Sequence, residues 1–437
     1  MKRLIILIAI VALFVQGRAQ EKWSLQKCID YALENNIVIK QQQLNTEYQE
    51  NQLNQAKYNK LPNLGASLGQ GVSFGRSETL EGTYDNYTNA TTSARISSNV
   101  LIWKGGTLNN TVKQNEFNWK SSLEDLEKAK DDVTLNIASA YLDILFAQEL
   151  IKVAESQVEQ TQKQIERSKK LVEAGKIAEG ALLEVQAQLA REQLDVVNRK
   201  NNLQISYLNL AQLLELEDYN GFEIEVPEIP ELKAQISLMA SKEVYEKAVD
   251  VRPEIKSAEY QLKSSEIQLD LAKGNKLPTL SAYASVSNNY YASENAPSFN
   301  DQVSKNLNEN VGLNLDIPLF SKYQNRTNIT NSKLQIKNSE LELESAKKQL
   351  RKQIEQVYTN AVAANERYSA NKVAVQSMEE SFRYIEEKFN VGRVNSVEYN
   401  DAKTKLAIAE SDLIQAKYEF IFRSKILDFY NGIPITL

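Results

Sequence analysis

Apolar residues follow two periods in this chain, and each stretch of one period returns a little over 200 residues later. Leu64, Ala66, Leu68, Val72 and Phe74 alternate with Gly65, Ser67, Gly69, Gly71 and Ser73, which predicts a strand with one apolar face. Ala94, Ile96, Val100 and Ile102 continue the alternation in a second strand running back. Further on, Leu280, Ala282, Ala284 and Val286 go out, and Val311, Leu313, Leu315, Ile317 and Leu319 return. Between these pairs the period lengthens. From Leu123 through Val133, Ile137, Ile144 and Ile151 to Val172, apolar or small residues recur in alternating steps of three and four, the seam of a coiled coil. The stripe repeats from Leu343 through Ile354, Val357 and Val375 to Phe389, and Lys130 and Lys347 interrupt the two copies at matching places. No glycine or proline occurs from Thr107 to Glu173, so the pattern predicts one helix of 67 residues, about 100 Å long at 1.5 Å per residue.

The recurrence extends to the residues themselves. "AKYNKLPNLGASL" from Ala56 is answered 216 positions later by "AKGNKLPTLSAYA" from Ala272; after the Leu-Pro, between Leu64 and Val100, the spacing becomes 217, with "VLIWKGG" from Val100 over "IPLFSKY" from Ile317 and Gly175 over Gly392. Leu61-Pro62 and Leu277-Pro278 are the helix-to-strand junctions, because the residue before proline is pushed out of helical backbone. Two internal structural repeats are therefore expected. Residues 20–230 would hold a helix, a β-hairpin over 63–103 and a helical hairpin turning near 175; residues 231–437 would hold a helix, a β-hairpin over 279–320 and a helical hairpin turning near 392. The polar stretches 75–92 and 287–310 are expected as exposed loop tips.

Residues 1–19 stand apart. Lys2 and Arg3 precede an apolar run from Leu4 to Val15, then Gly17-Arg18-Ala19, the pattern of a cleaved export signal. No other segment is apolar for long enough to form a membrane helix, so a membrane would be met as β-structure or not at all. Without the signal, 48 basic residues face 57 acidic ones, a net charge of about −9 that argues against nucleic acid as a partner. Cys28 is the only cysteine and is expected as a small core residue of a helix. There is no histidine, which removes Ser/His, Cys/His and His-metal chemistry. No carboxylate pair is isolated in an apolar setting, so no enzyme activity and no cofactor are expected.

Four strands cannot close into a barrel, and an open sheet with one apolar face would aggregate or pair with another chain. Three chains would supply twelve, with the apolar face toward lipid and the Ser, Gly and Asn face toward water. At this point the chain resembles the TolC-type outer-membrane efflux proteins over nearly all of its mature length. The residues that carry the resemblance are "WSLQKCIDYALENNIVIK" from Trp23, the two Leu-Pro junctions, "NVLIWKGG" from Asn99 and "KFNVGRVNSVEYNDAKTKLAIAESDLIQAKYEF" from Lys388. The resemblance implies an α+β membrane protein, a homotrimer whose 12-stranded barrel lies in outer-membrane lipid and continues into a periplasmic α-helical barrel. It also implies a periplasmic adaptor (a membrane fusion protein) and an inner-membrane RND or ABC transporter as partners, in multidrug efflux or type I secretion. One departure is that little follows the second helical hairpin beyond "DFYNGIPITL", so any belt around the helices must come mostly from residues 217–238.

The hairpin tips at Gly175 and Gly392, with Lys176 and Phe389 beside them, are the places an adaptor would touch under this resemblance. It also implies that Glu398 and Asp401 face the axis as two acidic rings at the periplasmic mouth, and makes Arg393 a candidate tether between neighbours. The residues themselves leave another reading open. Asn395 is a good N-cap, Glu398 three residues on would complete a capping box, and Asp401 complements the helix dipole. Two other protein classes remain: a soluble periplasmic coiled-coil adaptor, which leaves the four alternating strands unexplained, and a secreted hydrolase built on carboxylates.

Overall fold

The computed structural model describes residues 22–78, 82–218, 221–227, 239–292 and 296–436; the expected export signal lies outside these, as does most of the segment between the two halves. Helix α1 (Leu25–Asn35) starts at Ser24, whose Oγ accepts from the Lys27 N–H at 3.2 Å. The chain then breaks at Asn36 before α2 (Ile37–Tyr58). Asn36 holds this break from both sides: its Oδ1 accepts from Val38 N–H at 2.9 Å and its Nδ2 donates to Leu213 O at 3.0 Å. Strands β1 (Gly65–Glu78) and β2 (Tyr84–Lys104) follow, then α3 (Thr107–Glu173) and α4 (Glu179–Leu213). The second half begins with α5 (Ser241–Val251), broken at Arg252 by the proline that opens α6 (Pro253–Gly274). It continues through β3 (Thr279–Ala292), the short α7 (Phe299–Lys305) and β4 (Asn308–Asp316) to α8 (Gln324–Asn390) and α9 (Ser396–Tyr430).

Helix bounds in the second half repeat those of the first: α1, α2 and α5, α6 start and stop 216 residues apart, α3, α4 and α8, α9 217 apart. The chain forms two compact units, each drawn from both halves. One takes the chain up to Gln43, Asp125–Ile255 and the chain from Ala346 on; the other takes Leu44–Glu124 and Lys256–Ser345.

In the second of these units the four strands form one antiparallel sheet in the order β1-β2-β3-β4, with β1 and β4 as edges. The register puts the apolar positions on one face. Leu68 lies opposite Ala94, Ile96 opposite Val286, Ala282 opposite Leu313 and Leu280 opposite Leu315. Most of these side chains stand exposed in the single chain: Leu68 is 78% exposed, Leu313 68% and, beside them, Val311 86%. On the other face stand Ser67, Gly69 and Gly71, then Ser93, Arg95 and Ser97, then Ser281, Ser285 and Asn314. A bulge between Leu101 and Trp103 leaves Ile102 unpaired and gives its expected place, opposite Leu280, to Trp103. Much of the polar stretch expected as a loop over 75–92 is strand, because the ladder runs on to Glu78 opposite Tyr84. The stretch 287–310 likewise contains the end of β3, all of α7 and the start of β4. In α7, Gln302 is buried, its Nε2 donating to Tyr291 O and Pro297 O, both at 2.8 Å.

Below the strands, Gly105 and Gly274 touch backbone to backbone. A Cβ on Gly105 would lie 2.5 Å from Gly274 O, and Gly105 and Gly106 both take left-handed backbone.

The first unit buries the coiled-coil stripe: Val133, Ile137, Ile144 and Ile151 of α3, Leu350, Ile354 and Val375 of α8. Its densest cluster joins Cys28, Ile29 and Ala32 of α1 to Tyr141 and Leu145 of α3, Leu210 of α4 and Ile224. Burial pushes the Cys28 thiol up to about 12, which leaves it an inert core group. Part of the segment between the halves packs here, since Trp23 and Ile224 form a parallel bridge and the Tyr141 hydroxyl lies 2.5 Å from Glu225 O. Among the described residues no helix is long and apolar enough to cross a membrane.

Candidate functional site at the helical-hairpin tips

Each helical hairpin turns through a Schellman motif whose αL residue is the glycine the sequence singles out. Gly175 N–H donates to Val172 O and Lys176 N–H to Leu171 O, both at 2.9 Å. Gly392 N–H reaches Phe389 O at 3.0 Å and Arg393 N–H reaches Lys388 O at 2.9 Å. Both glycines have φ near +70° with open space where a Cβ would stand, so they are required by backbone conformation and not by crowding. Between the tips lies a cleft of about 400 Å³ whose apolar lining comes from Leu171, Ile177 and Ala181 on one hairpin and Phe389, Val391 and Val394 on the other. Phe389 is half-buried: its ring sits 4.7 Å from that of buried Tyr399, which also meets Phe382 at 5.3 Å. Lys176 is exposed.

The two candidate gate carboxylates stand on the first turns of α9. Asn395 caps that helix, its Oδ1 accepting from Glu398 N–H at 2.9 Å. The capping box is half made: among the described residues the Glu398 carboxylate has no hydrogen-bond or ion-pair partner. Asp401 pairs with Lys405 at 2.7 Å, an exposed contact between residues one helical turn apart. Capping therefore uses the Asn395 side chain and Glu398 backbone, and leaves both carboxylates outside the cap. At the positions 217 residues earlier stand Ala181 and Glu184, and α4 starts at Ala178 without a side-chain cap.

Arg393 is exposed, and among the described residues its side chain meets no partner. The hairpins are joined by residues that sequence reasoning did not select. Arg167 Nη2 donates to Asn390 O at 2.8 Å, and Ser396 Oγ donates to Glu184 Oε2 at 2.9 Å. Deeper in the seam, Lys403 Nζ donates to Glu192 Oε1 at 2.9 Å, to Gln157 O at 2.7 Å and to Thr161 Oγ1. Thr161 Oγ1 in turn donates to Glu192 Oε2 at 2.6 Å, and Gln188 Nε2 donates to Glu192 Oε1 at 3.0 Å. Lys403 and Glu192 are buried, 3% and 7% exposed. Burial lowers the Lys403 pKa, and the bond to Glu192 only partly opposes this. The corresponding positions elsewhere are Met378, Ala409 and Gln186, so this polar layer occurs once in the chain. The available signal was two opposite charges at seam positions, and it becomes readable only when the facing helices are known.

Nothing at the tips suits a bound metal: among the described residues there is no group of three or more metal-ligating side chains. The arrangement offers a mouth of paired helix ends with exposed carboxylates, held together by a few polar bonds.

Comparison with known proteins agrees with this geometry. The family model described as "Outer membrane efflux protein" matches residues 28–215 and 244–427, most of both halves. The chain is similar to the alkaline protease secretion protein AprF of Pseudomonas aeruginosa, 21% identical over 71% of this chain and 63% of AprF. It is also similar to the outer membrane protein TolC of Salmonella enteritidis, 23% identical over 87% of this chain and 76% of TolC. Among solved structures, CusC superposes with a TM-score of 0.80 at 17% identity, covering 96% of both chains. VceC of Vibrio cholerae superposes with a TM-score of 0.77 at 16% identity, covering 94% of this chain and 97% of that one. At such identities the structural likeness concerns the fold alone.

Proposed function

Because this chain belongs to the outer membrane efflux protein family and so resides in the Gram-negative outer membrane, extending into the periplasm, we propose that three copies form one passive conduit from periplasm to exterior. The chain is a transport component and not an enzyme on this reading, in keeping with the efflux description of its family. The observation that carries the proposal is the four-stranded sheet, with one mostly apolar face exposed and two edges unpaired. Such a sheet is stable only if lipid covers the face and other strands cover the edges. Three chains supply twelve strands, which leave a lumen lined by the Ser, Gly and Asn face. The matching helix bounds support two structural repeats, so that the trimer has six similar hairpins of each kind. The long helices α3 and α8 with α4 and α9 then form the periplasmic helical barrel.

The tips form its mouth. Glu398 and Asp401 from three chains make two acidic rings, and Arg393, with no partner inside its own chain, points to a neighbour. The cleft between Ile177 and Phe389, with Gly175, Lys176 and Gly392 at its rim, receives the periplasmic adaptor, which links the conduit to an RND or ABC transporter in the inner membrane. Drug efflux and type I secretion both use such a conduit, and the similarity to a protein named for alkaline protease secretion keeps protein cargo among the candidates.

Close like charges at a constriction favour cations. Purified protein in a planar bilayer should give stable single channels blocked by a multivalent cation added on the tip side. Glu398→Ala with Asp401→Ala should weaken that block at least tenfold. Unchanged block would refute the rings, and absence of conductance would refute the conduit.

A further inference from the structure

Each edge of the sheet lacks the neighbour that its counterpart in the other half possesses. β2 is flanked by β1 and β3, whereas β4, which corresponds to it at a spacing of 217, has only β3; β3 is flanked by β2 and β4, whereas β1, which corresponds to it at 216, has only β2, and at these spacings Gly65 opposite Ser97 becomes Ser281 opposite Asn314 as found. The β2–β3 ladder is thus the one strand pairing between halves among the described residues, and its pairs are known residue by residue. Resting on the trimeric reading above, we propose that β4 of one copy pairs antiparallel with β1 of the next in the register of that ladder, moved along by 217 and 216 residues. Asn99 opposite Tyr283 becomes Asp316 opposite Ser67 of the next copy, Ser98 opposite Ala284 becomes Leu315 opposite Leu68, and Ala94 opposite Asn288 becomes Val311 opposite Val72.

Three observations that did not enter the transfer agree with it. The first is the side of the sheet: the derived pairs set Leu315 on Leu68 and Val311 on Val72 on the apolar face, and Asp316 on Ser67 on the polar face, whereas a slip of one residue would oppose the two faces. The second is exposure. The apolar residues brought together all stand exposed in the single chain: Leu68 at 78% and Leu315 at 58%, Val311 at 86% and Val72 at 50%, Phe320 at 77% and Leu64 at 80%. The third is the bulge. β2 passes through Leu101, Ile102 and Trp103 to end at Lys104, held by β3, while β4 stops at Asp316, short of Pro318, Leu319 and Phe320 at the corresponding places. Leu319 is 93% exposed there. With β1 of a second copy alongside, this segment extends the strand with Leu319 as the bulged residue, and Pro318 falls at the bulge, where a missing N–H is tolerated.

Just beyond, Lys322 and Tyr323 keep the left-handed backbone of Gly105 and Gly106 without being glycine. Gly105 meets Gly274 inside the chain; the corresponding meeting between copies is Lys322 with Tyr58, which is 66% exposed. The contact changes there from backbone on backbone to a cation near an aromatic ring.

The test is a set of cysteine pairs in the full-length protein carrying Cys28→Ser, oxidised in outer membranes and run without reductant. Directly opposed strand residues have Cα atoms about 4.5–5.5 Å apart, within disulfide reach, whereas residues displaced by two are about 7–8 Å apart and mostly beyond it. Ser67→Cys with Asp316→Cys should give covalent dimers and trimers severalfold more efficiently than Ser67→Cys with Asn314→Cys or Gly69→Cys with Asp316→Cys. Val72→Cys with Val311→Cys should read the same register from the lipid face. Stronger crosslinking of a displaced pair, or no crosslinking of any pair in a protein that is still trimeric by native mass, overturns the register and leaves the conduit standing. No crosslinking together with a monomeric mass overturns both.

Discussion

Arg252 is held on four sides: its guanidinium lies 5.1 Å from the Phe429 ring and 5.3 Å from that of Tyr430, 3.0 Å from Asp131 and 3.4 Å from Glu254. Even with this cation beside it, Asp131 is harder to ionise than a free carboxylate. Burial pushes it from 3.8 to about 6, outweighing the attraction of Arg252, with Glu254 adding repulsion. A carboxylate that holds its proton more tightly when folded stabilises the fold below its unfolded pKa and loses that contribution as pH rises through the folded one. Stability should therefore fall between about pH 4 and 6 and level off above, by at most about 3 kcal/mol from this group. Asp131→Asn should flatten that part of the curve in denaturant titrations of the detergent-solubilised protein; a slope equal to the wild type's would show that Asp131 is not the group. At this scale the sequence was readable where one residue type has one job. Gly175 and Gly392 stand at αL turns, Cys28 is in the core, and Asn395 caps α9. It was not readable where a role depends on a partner: Arg167, Glu184 and Lys403 make the bonds between the hairpins of one chain, and nothing in their residue type or spacing marks them for it.

The helices show the same division at the scale of elements. The three-four stripe located the seam, and Val133, Ile137, Ile144 and Ile354 are buried where it placed them. The polar layer inside the seam was hidden, because Lys403 sits in "NDAKTKLAIAE", where a lysine looks like part of a solvated face. Removing one member of a buried pair strands the other charge, a cost of about 3–5 kcal/mol, while replacing both by apolar groups is often neutral or stabilising. Lys403→Ala should lower the unfolding midpoint sharply, and Lys403→Met with Glu192→Met should restore most of it. A double variant as unstable as the single one would mean that the layer contributes through its hydrogen bonds to Gln157 and Thr161 and not through the charge pair. In the strands, alternation gave the apolar face correctly but could not reveal the bulge at Ile102, since Ile and Trp both suit an apolar position; nor could it show that the polar ends of β1 and β2 are paired, since the backbone ladder does not depend on side-chain polarity. The break at Arg252 was marked by Pro253, whereas the break at Asn36 is made by side-chain bonds that reach as far as Leu213.

For the whole molecule, what matters is what a single chain leaves undone. Much of its coiled-coil stripe is buried within the chain, but its sheet has an exposed apolar face from Leu68 to Leu315 and two bare edges. That incompleteness was legible in the sequence as four alternating segments, too few to close, and it is why the fold points to an assembly in lipid. The most direct measurement is the native mass of the protein extracted from outer membranes in mild detergent, without crosslinking. Three mature chains per particle are predicted; a particle of one chain, still carrying its four paired strands, would contradict the conduit.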